Sequence, residues 1–228
     1  MLVDWGDYQG VLFDLDGVIT PTAEVHMHAW AKMFNAFLSA RGEQPYTDQD
    51  YFDYVDGKPR YDGVRSFLAS RGIPATDELV TTLGDRKNEV FGEVLKEEGV
   101  TAYPGSVRLL DALRERGMPM AIVSSSRNAP DVLAAAGMTG YFAAVVHGGI
   151  AATKGLAGKP APDTFWEAAD ELGVPHASAV VLEDATSGVA AGAAGKFALV
   201  IGVDRGAGAD ALRAAGADVV VDDLAELL

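Results

Sequence analysis

The chain has 228 residues, 49% of them apolar and 22% charged, enough to bury a sizeable core as one large domain or as a domain carrying a smaller insertion. A formal net charge of −15 disfavours nucleic acid and anionic membrane as partners, and an anionic substrate needs locally placed cations, although solubility alone also accounts for the total. There is no cysteine, which excludes disulfides and thiolate metal sites.

The N-terminal stretch from Met1 to Gly10 has neither a basic n-region nor a long apolar run, so no leader is expected. No later stretch approaches the ~20 apolar residues of a membrane span. A cytoplasmic protein is the expectation. Gly10–Asp14 reads as a buried strand standing alone. Thr20 and Pro21 then fit a helix start, with Thr20 as N-cap and Pro21 at the first helical position. From Thr22 to Gly99 the β-branched clusters disappear. Trp30, Met33, Phe34, Phe37 and Leu38 follow one helix face, Val64, Phe67 and Leu68 another that ends at Arg71-Gly72, and Leu79–Leu83 and Arg86–Lys96 predict two more helices.

Beyond residue 100, strands predicted at Met118–Val123, Ala143–Val146, Ala179–Glu183, Ala198–Val203 and Asp218–Val221 alternate with helices. Those helices fall at Ser106–Arg116, Ala129–Ala136, Pro162–Leu172, Ser187–Ala194 and Asp210–Ala215. The pattern predicts an α/β fold: a doubly wound parallel-sheet core (1–20 and 100–228) with an inserted α-helical cap (21–99).

Three features fall at the predicted ends of strands, where open α/β sheets bind ligands, and a fourth lies in the loop before a predicted helix. Asp14 and Asp16 flank Leu15 and precede Gly17. Two like charges placed together suit a hard cation such as Mg²⁺, or else a turn with two solvated aspartates. Glu183 and Asp184 repeat the arrangement after a second strand, as a metal site or as an acidic helix cap. Ser124, Ser126, Arg127 and Asn128 form either a phosphate-binding turn of hydroxyls and free N–H groups or a plain serine-rich turn. Lys159, before two prolines, is a cation on a stiffened loop or a surface lysine.

Taken in order, these motifs resemble the haloacid dehalogenase superfamily, across residues 11–188. The resemblance implies a Mg²⁺-dependent phosphoryl transfer in which Asp14 is phosphorylated and Asp16 is the general acid/base. It implies that Ser124 and Lys159 hold the phosphoryl group, and that Asp14, Asp16, Glu183 and Asp184 serve the metal. The second aspartate argues against the dehalogenase branch.

Within the superfamily the chain most resembles the β-phosphoglucomutases, through Asp14–Thr20, Thr22–Glu24, His26 and Trp30. That likeness implies a histidine assisting the acid/base (His26), a cap loop with a phosphate-gripping arginine (Gly57 and Arg60) and a sugar-contacting lysine (Lys87). It also implies a core share of the distal-phosphate site (Ser126, Arg127 and Asn128). Pro21 replaces the usual Asp, and the loop Asp56–Arg60 lacks the usual first Lys. Packing alone accounts for Trp30 and suits His26, and solvated charge suits Arg60 and Lys87. The implied reaction takes β-glucose 1-phosphate to glucose 6-phosphate through the 1,6-bisphosphate, with a sugar-phosphate phosphatase as the alternative and a catalytically silent phosphate-ligand-binding relative as a third reading. The expected partner is a small sugar phosphate and the expected state a monomer. Asp16 is expected to be tuned upward by its neighbours.

Overall fold

A computed structural model describes residues 3–228. Met1 and Leu2, part of the stretch read for a leader, lie outside the described residues, as does the side chain of Glu98. Six strands form one parallel sheet: β1 (Gly10–Phe13), β2 (Met120–Ser124), β3 (Ala144–His147), β4 (Ala179–Glu183), β5 (Leu199–Val203) and β6 (Val219–Val221). Their spatial order is β3-β2-β1-β4-β5-β6. β1, β2 and β4 are buried throughout, as expected of strands covered on both faces.

The order places β1 at the centre, with Phe13 level with Ile122 on one side and Leu182 on the other. Chain direction away from β1 reverses there, so the crevice at the carboxyl ends of β1, β2 and β4 is the topological switch point. Asp14, Ser124 and Glu183 therefore converge without any special pairing between them.

Between β1 and β2 run α1 (Thr22–Ser39), α2 (Asp48–Tyr54), α3 (Arg60–Ser70), α4 (Asp77–Glu98) and α5 (Pro104–Glu115). Trp30, Phe34, Tyr46 and Phe67 stack in the cap's own core. Ala29, Val90 and Phe91 join instead the hydrophobic cluster of the sheet, so the bases of α1 and α4 pack on the core domain. The remaining helices are α6 (Ala129–Ala135), α7 (Gly148–Lys154), α8 (Asp163–Leu172), α9 (Thr186–Ala194) and α10 (Ala209–Ala215).

Four sequence expectations change. The two helices predicted at Leu79–Leu83 and Arg86–Lys96 are one, α4, capped by Thr76. Gly84 does not break it, because the Tyr61 ring packs in the space a side chain would need. Thr20 is not the N-cap of α1. Pro21 holds that position, and the Thr20 hydroxyl, fully buried, faces the Leu15 carbonyl and the Thr22 hydroxyl. Helix α2 was not predicted, although Thr47 and Asp50 form a reciprocal capping box at its start. Helix α7 was missed because Gly148-Gly149 reads locally as a turn. Among the described residues no helix is long and apolar enough to cross a membrane.

Candidate active site

Asp14 follows β1, and its backbone N–H donates to the Leu182 carbonyl of β4, which locks the residue to the sheet. Lys159 reaches it from the loop before α8. The ammonium donates to Asp14 Oδ1 at 2.5 Å, to Glu183 Oε1 at 2.6 Å and to the Val123 carbonyl at 3.0 Å. All three donors are thereby occupied, and the side chain is 1% exposed. Burial works against the Lys159 charge, but the two carboxylates raise its pKa. One lysine between two buried carboxylates leaves a surplus negative charge. Burial accordingly pushes Asp14 well above the usual carboxylate range, with Glu183 and Asp16 adding to the effect of burial and Lys159 opposing it.

Both Glu183 oxygens are engaged. Oε1 accepts from Lys159 and Oε2 accepts from the Ala185 N–H at 2.8 Å. The structure thus shows Glu183 as the partner of Lys159, with lone pairs remaining on each oxygen. Asp184 differs. Among the described residues neither of its side-chain oxygens accepts a hydrogen bond, and burial, with Asp56 and Glu183 nearby, raises its pKa strongly. Gly17 makes room for it: φ is +88°, and a Cβ there would sit 1.8 Å from Asp184 Oδ2.

Asp16 turns towards the cap. Thr22 donates to its Oδ1 at 2.5 Å and Ser124 to its Oδ2 at 3.3 Å, while His26 Nε2 stands 3.4 Å from Oδ1. Burial alone would raise its pKa. The close approach of His26, then the Thr22 hydrogen bond and the Lys87 charge, overcome burial and hold Asp16 at about 2. The expected upward tuning is thus reversed, because the sequence did not reveal how closely the α1 donors would approach. His26 stacks on Phe91 at 4.1 Å, and its Nδ1 meets the ammonium of Lys87. Burial, followed by the Lys87 charge, lowers the His26 pKa. Burial and Arg60 lower Lys87 to about 7.

All the candidate residues except Lys159 and Asn128 line one cavity of about 290 Å³ between core and cap. Lys159 lies behind Asp14. Trp30 has both roles considered, since it stacks on Phe34 in the cap core and also lines the cavity. The serine turn is less open than expected. The Ser126 and Asn128 N–H groups donate to the Ser124 and Ser126 hydroxyls, so neither is free. Arg127 lines the cavity, while Asn128 donates to Asn88 of α4.

Sequence reasoning passed over the contacts that seat the cap. Ser125 donates to the Gly57 carbonyl at 2.8 Å, and Ser187 donates to the Asp56 carbonyl at 3.0 Å. Gly57, at φ +69°, lies so close that a Cβ there would stand 2.2 Å from Ser187 Oγ. Asp56 itself lines the cavity, and burial raises it to about 7. The signal available was a carboxylate at the head of a Gly-containing loop.

No group of three or more Asp, Glu or His side chains among the described residues is placed to hold a metal ion. Mg²⁺ does not require one. It is commonly held by one or two carboxylates, with waters and substrate phosphate completing the shell. Asp14 and Asp184, both at strand ends and both raised by burial, are hard oxygen donors lacking sufficient positive charge, and that chemistry fits such an ion.

A family model for haloacid dehalogenase-like hydrolases matches residues 8–196, and the chain belongs to this family. It is 48% identical to the β-phosphoglucomutase of Mycobacterium bovis, across 95% of this chain and 90% of that protein. It is 35% identical to the β-phosphoglucomutase of Bacillus subtilis, across 96% and 91%. A crystal structure of β-phosphoglucomutase from Clostridium difficile matches with a TM-score of 0.82 and 25% identity, over 97% of this chain and 93% of that one. The chain is thus an enzyme of the phosphomutase and phosphatase group, and its chemistry is phosphoryl transfer.

Proposed function

We propose that the chain is a β-phosphoglucomutase, converting β-glucose 1-phosphate to glucose 6-phosphate through the 1,6-bisphosphate and an aspartyl-phosphate at Asp14. The observation that carries this reading is the division of the two aspartates. Asp14 is fixed to the sheet and Lys159, whereas Asp16, two residues on, accepts from Thr22 of α1 and Ser124 of the core and stands beside His26.

Asp14 Oδ attacks phosphorus in line, a P–O bond forms, and the bond to the sugar oxygen breaks. Lys159, with its three donors held by Asp14, Glu183 and Val123, acts on the phosphoryl oxygens by charge, and Ser124 hydrogen-bonds them once its hydroxyl leaves Asp16. The leaving oxygen takes a proton from Asp16, and Asp16 recovers a proton from the acceptor hydroxyl in the reverse transfer. At about 2, Asp16 is a carboxylate in this structure, set for the proton-accepting half of the cycle. Donation requires it to leave Thr22 and His26 first. A magnesium ion, held by Asp14, Asp184 and the Asp16 main-chain carbonyl, would supply charge neutralisation at the transferring phosphate. Glu183 keeps Lys159 charged and in place. The cap loop, with Arg60, faces Arg127 across the cavity, and this pair would hold the second phosphate and help exclude water.

The test supplies enzyme, Mg²⁺, β-glucose 1-phosphate and a trace of the 1,6-bisphosphate, and follows glucose 6-phosphate and free phosphate separately. The expected result is glucose 6-phosphate in large excess. Fast release of phosphate with little glucose 6-phosphate would make the enzyme a phosphatase instead.

A further inference from the structure

One oxygen joins three elements beside Arg60, which lines the cavity. Asn88 Oδ1, on α4, accepts from Arg60 Nη2 of α3 at 2.6 Å and from Asn128 Nδ2 of the core at 2.8 Å. The first of these is a charge-assisted hydrogen bond and the stronger of the two. Arg127, adjacent in sequence to Asn128, makes no side-chain hydrogen bond or ion pair among the described residues and lines the same cavity as Arg60. One cation and an amide N–H group therefore hold a neutral side-chain oxygen, and a second cation, Arg127, lies close enough to Arg60 for its charge to act on it. Such a donor set is suited to an anion, and Asn88 satisfies only part of it.

We infer that Asn88 is an internal stand-in for a ligand phosphate oxygen. It latches the cap to the core when the site is empty, and it releases Arg60 and Asn128 when a phosphate arrives. The inference rests on the reading above that this end of the cavity takes the substrate's second phosphate. It makes Asn88 a positioning residue that acts through Arg60 and Asn128.

The thermodynamic consequence has a definite sign. The latch stabilises the empty closed state and is absent from the bound state, so removing it tightens binding. Asn88→Ala is expected to lower the Kd for glucose 6-phosphate by roughly 10- to 100-fold, the scale of one charge-assisted hydrogen bond. Asn88→Asp offers Arg60 a charged partner and sets a like charge against the phosphate, so it is expected to raise the Kd by at least as much. Small-angle scattering supplies a readout independent of ligand affinity. Ligand-free Asn88→Ala is expected to have a larger radius of gyration than ligand-free wild type.

Weaker binding in both variants would overturn the stand-in and make Asn88 an ordinary part of the binding frame. Identical ligand-free scattering of wild type and Asn88→Ala would overturn the latch. Wild-type turnover of β-glucose 1-phosphate and of p-nitrophenyl phosphate is measured alongside. If the wild type turns over neither, the functional reading fails, and the scattering comparison still decides the latch.

Discussion

The core and the cap hold their charged groups in different ways. At the strand ends, Lys159, Asp14 and Glu183 form a buried triad anchored to the sheet, with every lysine donor occupied. The cap's polar groups sit on helices and on the Asp56–Arg60 loop and meet the core through a few hydrogen bonds: Thr22 to Asp16, Ser125 to Gly57, Ser187 to Asp56 and Asn128 to Asn88. A parallel sheet fixes what it carries, whereas the outer part of a helical insertion, packed on the core only at the bases of α1 and α4, is free to move at lower cost. On our reading the core performs the transfer and the cap chooses the acceptor. Substitutions in the two regions should therefore fail in different ways.

The largest effect belongs to the core. Asp14→Asn keeps the size and the sheet anchor but removes the nucleophile that we propose. Turnover of every phosphate ester is expected to fall by about 10⁴-fold or more, with circular dichroism and melting temperature near wild type. Retained turnover in that variant would remove Asp14 from the role and erase the division between the regions.

Lys159→Ala tests whether the core triad is also structural. It leaves Asp14 and Glu183 together, buried and without their cation. Breaking a buried pair in this way typically costs about 3–5 kcal/mol, and urea unfolding measures it. A variant as stable as wild type would mean that the carboxylates relax into solvent, contrary to the burial of Glu183.

Lys87 gives the cap a pH signature. Burial and Arg60 lower it to about 7, whereas an unfolded chain titrates its lysines near the ordinary value of 10.5. Between those values the unfolded chain holds the proton and the folded chain does not, so stability rises with pH. The contribution approaches about 1.4 kcal/mol per pH unit for one proton. Urea midpoints measured from pH 7 to 10 should show that slope in wild type and lose it in Lys87→Met. An equal slope in both would place the titration elsewhere.

The same contrast governs how much of the molecule was legible. Strand β4 was read to the residue, and the other strands within a residue or two, because a buried parallel strand leaves a continuous apolar run. Asp14, Ser124, Lys159 and Asp184 each follow a strand or precede a helix, so local pattern located them. Tertiary contact decided the rest. Thr20 has the chemistry of a cap, yet the close turn of Asp16 to Thr20 takes its hydroxyl inside. Leu79–Leu83 and Arg86–Lys96 read as two helices, yet α4 runs through Gly84, against which the Tyr61 ring packs. The lowering of Asp16 depends on Thr22 and His26 arriving from α1, and Asn88 gains its place only because α3 and α6 come within reach. No spacing in the sequence encodes those approaches.

The smallest predicted effect is the sharpest test of the comparison. Arg60 begins α3 and, among the described residues, makes no hydrogen bond or ion pair with the Asp14–Lys159 pair that would carry out the transfer. If the cap only recognises, Arg60→Ala should leave hydrolysis of p-nitrophenyl phosphate nearly unchanged, since that ester has no second phosphate to hold. The KM for β-glucose 1-phosphate should rise roughly 10- to 100-fold, as expected for a lost hydrogen bond from a charged donor. A fall in kcat for the sugar phosphate larger than the rise in KM would instead mean that Arg60 acts in the transition state. Equal losses on both esters would mean that the cap arginine shapes the core site itself, and the two regions would then have to be treated as one.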